Sequence, residues 1–422
     1  MSVFEVINNI LKIVGDAVAG FITSILGAGP LAEFVIMALA AIFICSCCAI
    51  SFMGLTYAER KVVARIQDRI GPNQAGPYGV LQPIADGIKM FTKEDTTPAE
   101  ADRWVYNFAP LVIAVFALLT YAVIPFAPGV VGTNLNIGVF YVIAVGSGST
   151  VAILMAGWGS NNKYSLLGAF RTVAQLVGYE VPMLLNVLPV VMLAGSMSLI
   201  DIIERQTLNN GANGIPFILY LPLSALIFLV SGIAETGRSP FDLLEAESEI
   251  VAGFHVEYSG MKFALFFLGE YVNSMAVSFM FAVLFLGGYA GPLLPPYVWM
   301  LLKVAAVFTI LMWLRGTLPR VRVDQLMSLN WKFLVPMSVV NILLVAVLAK
   351  VFVTTPGQVQ TNGGVLVAPP VQMLILLLSN MAVLFTGLLL VARRARLLRL
   401  VEAEDLERRQ AENRLATAGM TQ

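Results

Sequence analysis

Apolar residues run along this chain in long, nearly unbroken blocks, without the alternation of strands or the narrow stripes of soluble helices. Nine blocks stand out, at about 33–57, 106–127, 137–159, 166–194, 215–235, 263–288, 297–315, 332–353 and 371–392. Each approaches the ~20 residues that a helix needs to cross a hydrocarbon core about 30 Å thick. Strands of a membrane barrel would be about half as long and would alternate. The pattern predicts an all-α fold, a polytopic transmembrane helical bundle of about nine spans with amphipathic interfacial helices. No connection has the polar length of a separate soluble unit, so residues 31–395 read as one transmembrane domain.

Shorter segments carry a different pattern. In residues 1–30, Val3, Ile7, Ile10, Val14, Val18 and Phe21 recur near helical spacing among Glu5, Lys12 and Asp16. That spacing predicts an amphipathic helix on the outer interface. In the first inner loop, Leu81, Ile84, Ile88 and Phe91 form a stripe with Asp86, Lys89 and Lys93 away from it. This predicts a second interfacial helix, set up by the Gly76-Pro77 turn. Residues 396–422 form a charged tail.

Composition agrees with burial in lipid. The chain is 58% hydrophobic and 12% charged, where soluble domains have about a quarter of residues charged. Net charge is zero, but the basic residues are divided between sides. Arg60, Lys61, Arg65, Arg69, Lys89, Lys93 and Arg103 fill the first loop, and Arg315, Arg320, Arg322 and Lys332 the seventh. The even loops have almost nothing beyond Arg205. Basic loops mark the cytoplasmic side, which places the N-terminus outside and the tail inside. Nothing in the charge pattern points to nucleic acid.

Against this background two acids stand out. Glu180 sits near the middle of the run 166–194, and Glu270 lies inside 263–287. A charge at the centre of a membrane helix costs roughly 2.5–3.5 kcal/mol even on insertion-based scales, so such acids mark proton or ion handling. The bland alternative is a salt bridge within the bundle, with Arg171 as partner for Glu180. Glu59 and Glu235 end the first and fifth spans at the inner face. Redox chemistry within the chain is poorly supported. Cys45, Cys47 and Cys48 share one span and His255 is the only histidine, while an iron–sulfur cluster normally takes four thiolates. The reading is no metal and no covalently bound cofactor.

The fifth loop runs Ala234-Glu235-Thr236-Gly237-Arg238-Ser239-Pro240-Phe241-Asp242 and continues through Glu245, Glu247 and Glu249. Ser239 and Pro240 suit a helix start. Asp242, Glu245 and Glu249 would share one face with no lysine interleaved. Crowded carboxylates repel and can share protons. The alternative is a docking surface for a basic partner.

The stretches 58–69, 81–89, 234–258 and 318–327 together resemble the family of quinone-site membrane subunits of respiratory complex I, the H subunits of the bacterial NADH:quinone oxidoreductases. Two departures are local. Gly237 stands where the family often has asparagine, and Gly178 where serine is common. The resemblance implies an inner (plasma) membrane location in a bacterium, a quinone substrate, and a row of acids coupling quinone reduction to proton translocation. The relay candidates are Glu59, Asp86, Glu180, Glu235, Glu245, Glu247, Glu249 and Glu270. Candidates for the quinone path are Arg60, Arg69 and Arg238, with Phe241 and Asp242 beside them. Anchoring to anionic lipid or to peripheral subunits is the competing role for the arginines. Implied partners are the iron–sulfur and quinone-site subunits of the peripheral arm, neighbouring small membrane subunits, antiporter-like subunits and membrane lipids. Two rival classes stay open. One is the equivalent subunit of a membrane-bound hydrogenase or related ion-pumping oxidoreductase. The other is a stand-alone ion transporter, although no inverted repeat is evident.

Overall fold

The computed structural model describes residues 10–27, 29–207, 214–242, 253–353, 365–366, 370–393 and 396. In chain order the helices are α1 (Ile10–Leu26), α2 (Pro30–Ile66), α3 (Gln82–Thr92), α4 (Arg103–Leu119), α5 (Gly138–Gly159) and α6 (Lys163–Ala194). They continue with α7 (Leu199–Arg205), a single turn Phe217–Tyr220, α8 (Pro222–Glu235), α9 (Gly260–Phe285), α10 (Pro296–Thr317), α11 (Val323–Val351) and α12 (Pro370–Arg393). Eight of these are long and apolar enough to cross a membrane, and α8 is a shorter apolar helix. Each of the nine apolar blocks thus holds a helix. Strand pairing among the described residues is limited to a two-residue parallel pair, Phe352–Val353 with Val365–Leu366, and an isolated bridge between Ala127 and Val130.

Two lengths differ from the sequence reading. Helix α2 has 37 residues, about 55 Å at 1.5 Å per residue, and runs well past the expected end near residue 57. Its last turns carry Arg60, Lys61 and Arg65. Helix α8 has 14 residues, about 21 Å, which falls short of a hydrocarbon core about 30 Å thick.

The helix ends follow local chemistry. Asp102 and Asn162 accept from the N–H groups of Trp104 and Tyr164 and cap α4 and α6, and Gly195 closes α6 at φ 71°. Helix α9 is the most enclosed span and α2 the most peripheral. The main core lies where α4, α5, α6, α8 and α9 meet, around Tyr121, Val187, Phe228 and Val283. Close approach there uses small residues, as helices in lipid require. A Cβ on Gly157 of α5 would stand 2.3 Å from that of Ala169 on α6. The stripe Leu81, Ile84, Ile88 and Phe91 of α3 is exposed, as an interfacial helix demands.

Candidate functional site

The end of α8 shapes the interior. Gly237 N–H donates to the Ala234 carbonyl and Arg238 N–H to the Ile233 carbonyl, with Gly237 at φ 62°. This is the Schellman termination, whose left-handed position takes glycine and tolerates asparagine. Glycine at this place therefore meets the demand of the backbone. The reversal sends the next side chain, Arg238, back into the bundle, where it is only 1% exposed.

Three helices meet that guanidinium. Its Nη1 donates to Glu59 Oε2 of α2 at 2.6 Å, and Nη2 lies 3.8 Å from Glu270 Oε1 of α9. Its Nε donates to Ser274 Oγ at 3.2 Å, and the group stacks over Tyr271 with 4.4 Å to the ring centre. Phe308 of α10 flanks it at 5.7 Å. Arg315, also of α10, bonds the other oxygen of Glu59. One carboxylate is thus shared by two arginines, and one arginine by two carboxylates. Glu59 lies seven residues before the end of α2, which continues past it. Paired on both oxygens, its charge is neutralised where it stands, so the helix need not stop there.

Glu270 connects this cluster to a cavity of about 40 Å³, lined also by Glu235, Thr236, His255 and Asn273 between phenylalanine rings. Such a volume holds about two or three waters. Glu235 is 8% exposed, and among the described residues its Oε2 has no hydrogen-bond partner. Burial pushes the His255 imidazole down to about 4, so it is neutral near pH 7. Helix α6 holds the turn from the other side. Gln175 Nε2 donates to the carbonyls of Ala234 at 2.6 Å and Phe241 at 2.8 Å. Phe241 is buried against Tyr179, with ring centres 5.5 Å apart. Glu180 follows Tyr179, half-buried, and within electrostatic reach of Glu235.

The sequence candidates divide. Glu59, Glu180, Glu235, Glu270, Arg238 and Phe241 converge in the interior, with Asp242 at its edge. Arg60 and Asp86 form a separate pair at the surface, 2.6 Å apart, with Gln82 Nε2 donating to Asp86 at 3.2 Å. Arg69 is exposed and donates to Gln67 at 2.7 Å, away from both groups. Glu59 and Arg60 are adjacent in sequence but point apart, because successive helical residues differ by about 100°. Glu245, Glu247 and Glu249 lie outside the described residues.

Two readings are corrected. Arg171 makes no ion pair with Glu180, since nine residues along one helix separate them by about 13 Å. Ser239 and Pro240 do not begin a helix. The Ser239 hydroxyl donates to the Leu318 carbonyl at 3.3 Å, and the Pro240 carbonyl accepts from Val321 N–H at 3.0 Å. Tertiary bonds hold this segment in an irregular path through Asp242. Sequence reasoning missed Arg315, Tyr271, Ser274, Gln175 and the cavity position of His255. The i, i+4 spacing of Glu270 and Ser274 within an apolar run was a usable signal. Arg315 was hidden among the basic loop residues. Among the described residues no three His, Cys, Asp or Glu side chains gather as a metal site needs.

Apolar helices packed around an ion-paired interior define a polytopic membrane protein that keeps ionisable groups in its core. Residues 38–346 match the NADH dehydrogenase family. The H subunit of the NADH-quinone oxidoreductase of Dehalococcoides mccartyi is 48% identical over 344 residues, covering 82% of this chain and 91% of that protein. The corresponding H 2 subunit of Syntrophobacter fumaroxidans is 51% identical over 68% of the chain and 88% of the relative. That of Geobacter sulfurreducens, also an H 2 subunit, is 50% identical over 69% and 89% respectively. The chain belongs to the NADH dehydrogenase family.

Proposed function

We propose that this chain is the membrane subunit of a proton-pumping NADH:quinone oxidoreductase that forms part of the quinone path and carries a carboxylate relay. The observation that carries the reading is the run of ionisable groups from Glu59 through Arg238 and Glu270 to the cavity shared with Glu235. Quinone reduction takes two electrons and two protons. The electrons would come from an iron–sulfur subunit of the peripheral arm. Protons would pass along acids whose charge depends on their neighbours.

In this reading Glu59 and Arg238 form a fixed electrostatic gate. Glu270 exchanges with Glu235 through water in the cavity, and Glu180 receives the charge deeper in the bundle. Arg60 and Asp86 stand at the surface entrance beside α3, where a quinone head would enter, and Arg69 supports the same loop. Glu245, Glu247 and Glu249 would extend the relay towards the peripheral arm. The assembly would sit in a bacterial inner membrane with the N-terminus outside. Residues 1–30 would lie at the interface, 31–395 would form the transmembrane unit, and 396–422 a cytoplasmic tail. Small membrane subunits, antiporter-like subunits and lipid would border the chain.

The test is Glu235→Gln in the intact complex. Electron transfer from NADH to a water-soluble acceptor should persist, while proton pumping coupled to quinone reduction falls. Full pumping in the assembled variant would sink the relay.

A further inference from the structure

Helix α6 carries Pro182 in its interior. A proline there has no N–H, so the carbonyl four residues earlier, on Gly178, loses its helical donor. That carbonyl is nevertheless satisfied, because Asn330 Nδ2 donates to it at 2.6 Å from α11. Asn330 is fully buried and opens the π turn Asn330–Leu334. Single π turns inside helices occur mostly where a helix is adapted to a function. A second bond runs the other way, from the Tyr179 hydroxyl to the Leu326 carbonyl at 3.0 Å. Residues 178 and 179 are thereby both tied to α11, and the next residue is Glu180. The missing side chain at Gly178 admits the amide. A Cβ there would stand 3.1 Å from Asn330 Nδ2.

We infer that Asn330 is a positioning residue for Glu180, its amide standing in for the hydrogen bond that Pro182 removes and so fixing the turn from which the carboxylate projects. The inference rests on the relay role proposed above for Glu180. Glu180 lies between the orphaned carbonyl and the proline, in a turn of α6 that the missing bond leaves free to bend or widen. In a membrane span, backbone groups freed by proline are re-satisfied by neighbouring helices. Here the neighbour supplies a buried side-chain amide. A change in that turn alters the separation of Glu180 from Glu235, which its charge reaches.

A general role as glue between helices makes a different forecast. Asn341 of α11 donates to Ser224 of α8 at 2.7 Å and is equally buried, but among the described residues it donates to no carbonyl beside an acid. It is the matched control.

The experiment uses infrared difference spectra of the intact complex, with the Glu180 carboxyl band assigned by its loss in Glu180→Gln. Asn330→Leu should displace that band and its titration midpoint, whereas Asn341→Leu should leave both in place. Adding Pro182→Ala restores an N–H for the Gly178 carbonyl, so the double variant Pro182→Ala/Asn330→Leu should bring the band back towards its native position. An unmoved band in Asn330→Leu, or an equal displacement in Asn341→Leu, overturns the inference. Should Asn330→Leu fail to assemble, recovery of assembly and of the native band in the double variant upholds it, and failure of both overturns it. Normal pumping by Glu180→Gln would instead overturn the relay reading. The band would still report the surroundings of the carboxyl, because it does not depend on turnover.

Discussion

Arg238 and Glu59 are 179 residues apart in the chain, yet their side chains meet at 2.6 Å in the interior. The contact joins the peripheral helix α2 to the turn after α8, with α9 and α10 contributing Glu270 and Arg315. Removing one member of a buried ion pair leaves the other charge unpaired and costs about 3–5 kcal/mol. Arg238→Ala should therefore lower the thermal midpoint of the detergent-purified complex. It should also reduce quinone reduction more than electron transfer from NADH to an artificial acceptor. Arg238→Lys keeps the charge but loses the fork that reaches Glu59, Glu270 and Ser274 together, so it should fall between the two. Equal loss of both activities would point to failed assembly and remove Arg238 from the quinone path.

The surface pair provides the contrast. Arg60 and Asp86 have side chains 49% and 27% exposed, and exposed ion pairs contribute about 0–1 kcal/mol. Asp86→Asn should leave the thermal midpoint nearly unchanged. If the pair borders the quinone entrance, KM for quinone should rise while the midpoint holds. A large drop in stability would show that the pair is structural.

Glu180→Gln keeps the shape of the side chain and removes its ability to take up and release a proton. Assembly should be retained and proton pumping coupled to quinone reduction should fall. Measuring pumping in vesicles alongside subunit content separates the two effects, and full pumping would exclude Glu180 from the relay.

His255 gives the protein a pH dependence of definite sign. Its folded pKa, about 4, lies below the ordinary value near 6.5 because burial disfavours the charged ring. Between these values the unfolded chain binds the proton and the folded one does not. The neutral ring's contribution is therefore fully present above about pH 6.5 and is lost as pH falls towards 4. The thermal midpoint should drop over that window, and His255→Asn should flatten the drop. An unchanged slope in the variant would assign the effect to other groups.

Lys303 of α10 donates to three carbonyls, those of Leu286 at 2.7 Å, Gly288 at 2.8 Å and Ala290 at 2.6 Å. They belong to the segment that follows α9, where unpaired carbonyls collect at a helix C-terminus. Lys303→Met should destabilise by at least about 1.5–3 kcal/mol, the range of a hydrogen bond to a charged group. Thermal unfolding would register it, with little change in quinone reduction per folded complex.

The spans were legible because lipid imposes a length and a composition that any such helix must show, and the acids of α6 and α9 stood out against them. Arg238 was singled out by its position after Glu235, but its burial was not readable, since that follows from the Schellman turn and from partners on three other helices. Arg315 gave no distinct signal. A basic residue at a helix end looks the same in sequence whether it faces lipid headgroups or folds inward to Glu59. The helix start expected at Ser239 and Pro240 failed for a related reason. Local capping preferences favoured it, while bonds from Gln175, Val321 and Ser239 fixed the backbone otherwise. Asn330 resembled any polar residue near a span boundary until its partner carbonyl was located opposite a proline.

The shortness of α8 has a consequence for the turn that carries Arg238. A helix of 14 residues covers about 21 Å, less than a hydrocarbon core of about 30 Å, so irregular backbone has to complete the crossing. Irregular backbone is tolerated within the hydrocarbon only where protein covers it, and residues 231–238 are all buried. The bundle therefore keeps a small polar recess under cover of protein, walled by the phenylalanines of α9 and its neighbours. Arg238 and Glu235 are thereby closed off from the surrounding lipid, and a change in their charge has to be transmitted by groups inside the bundle.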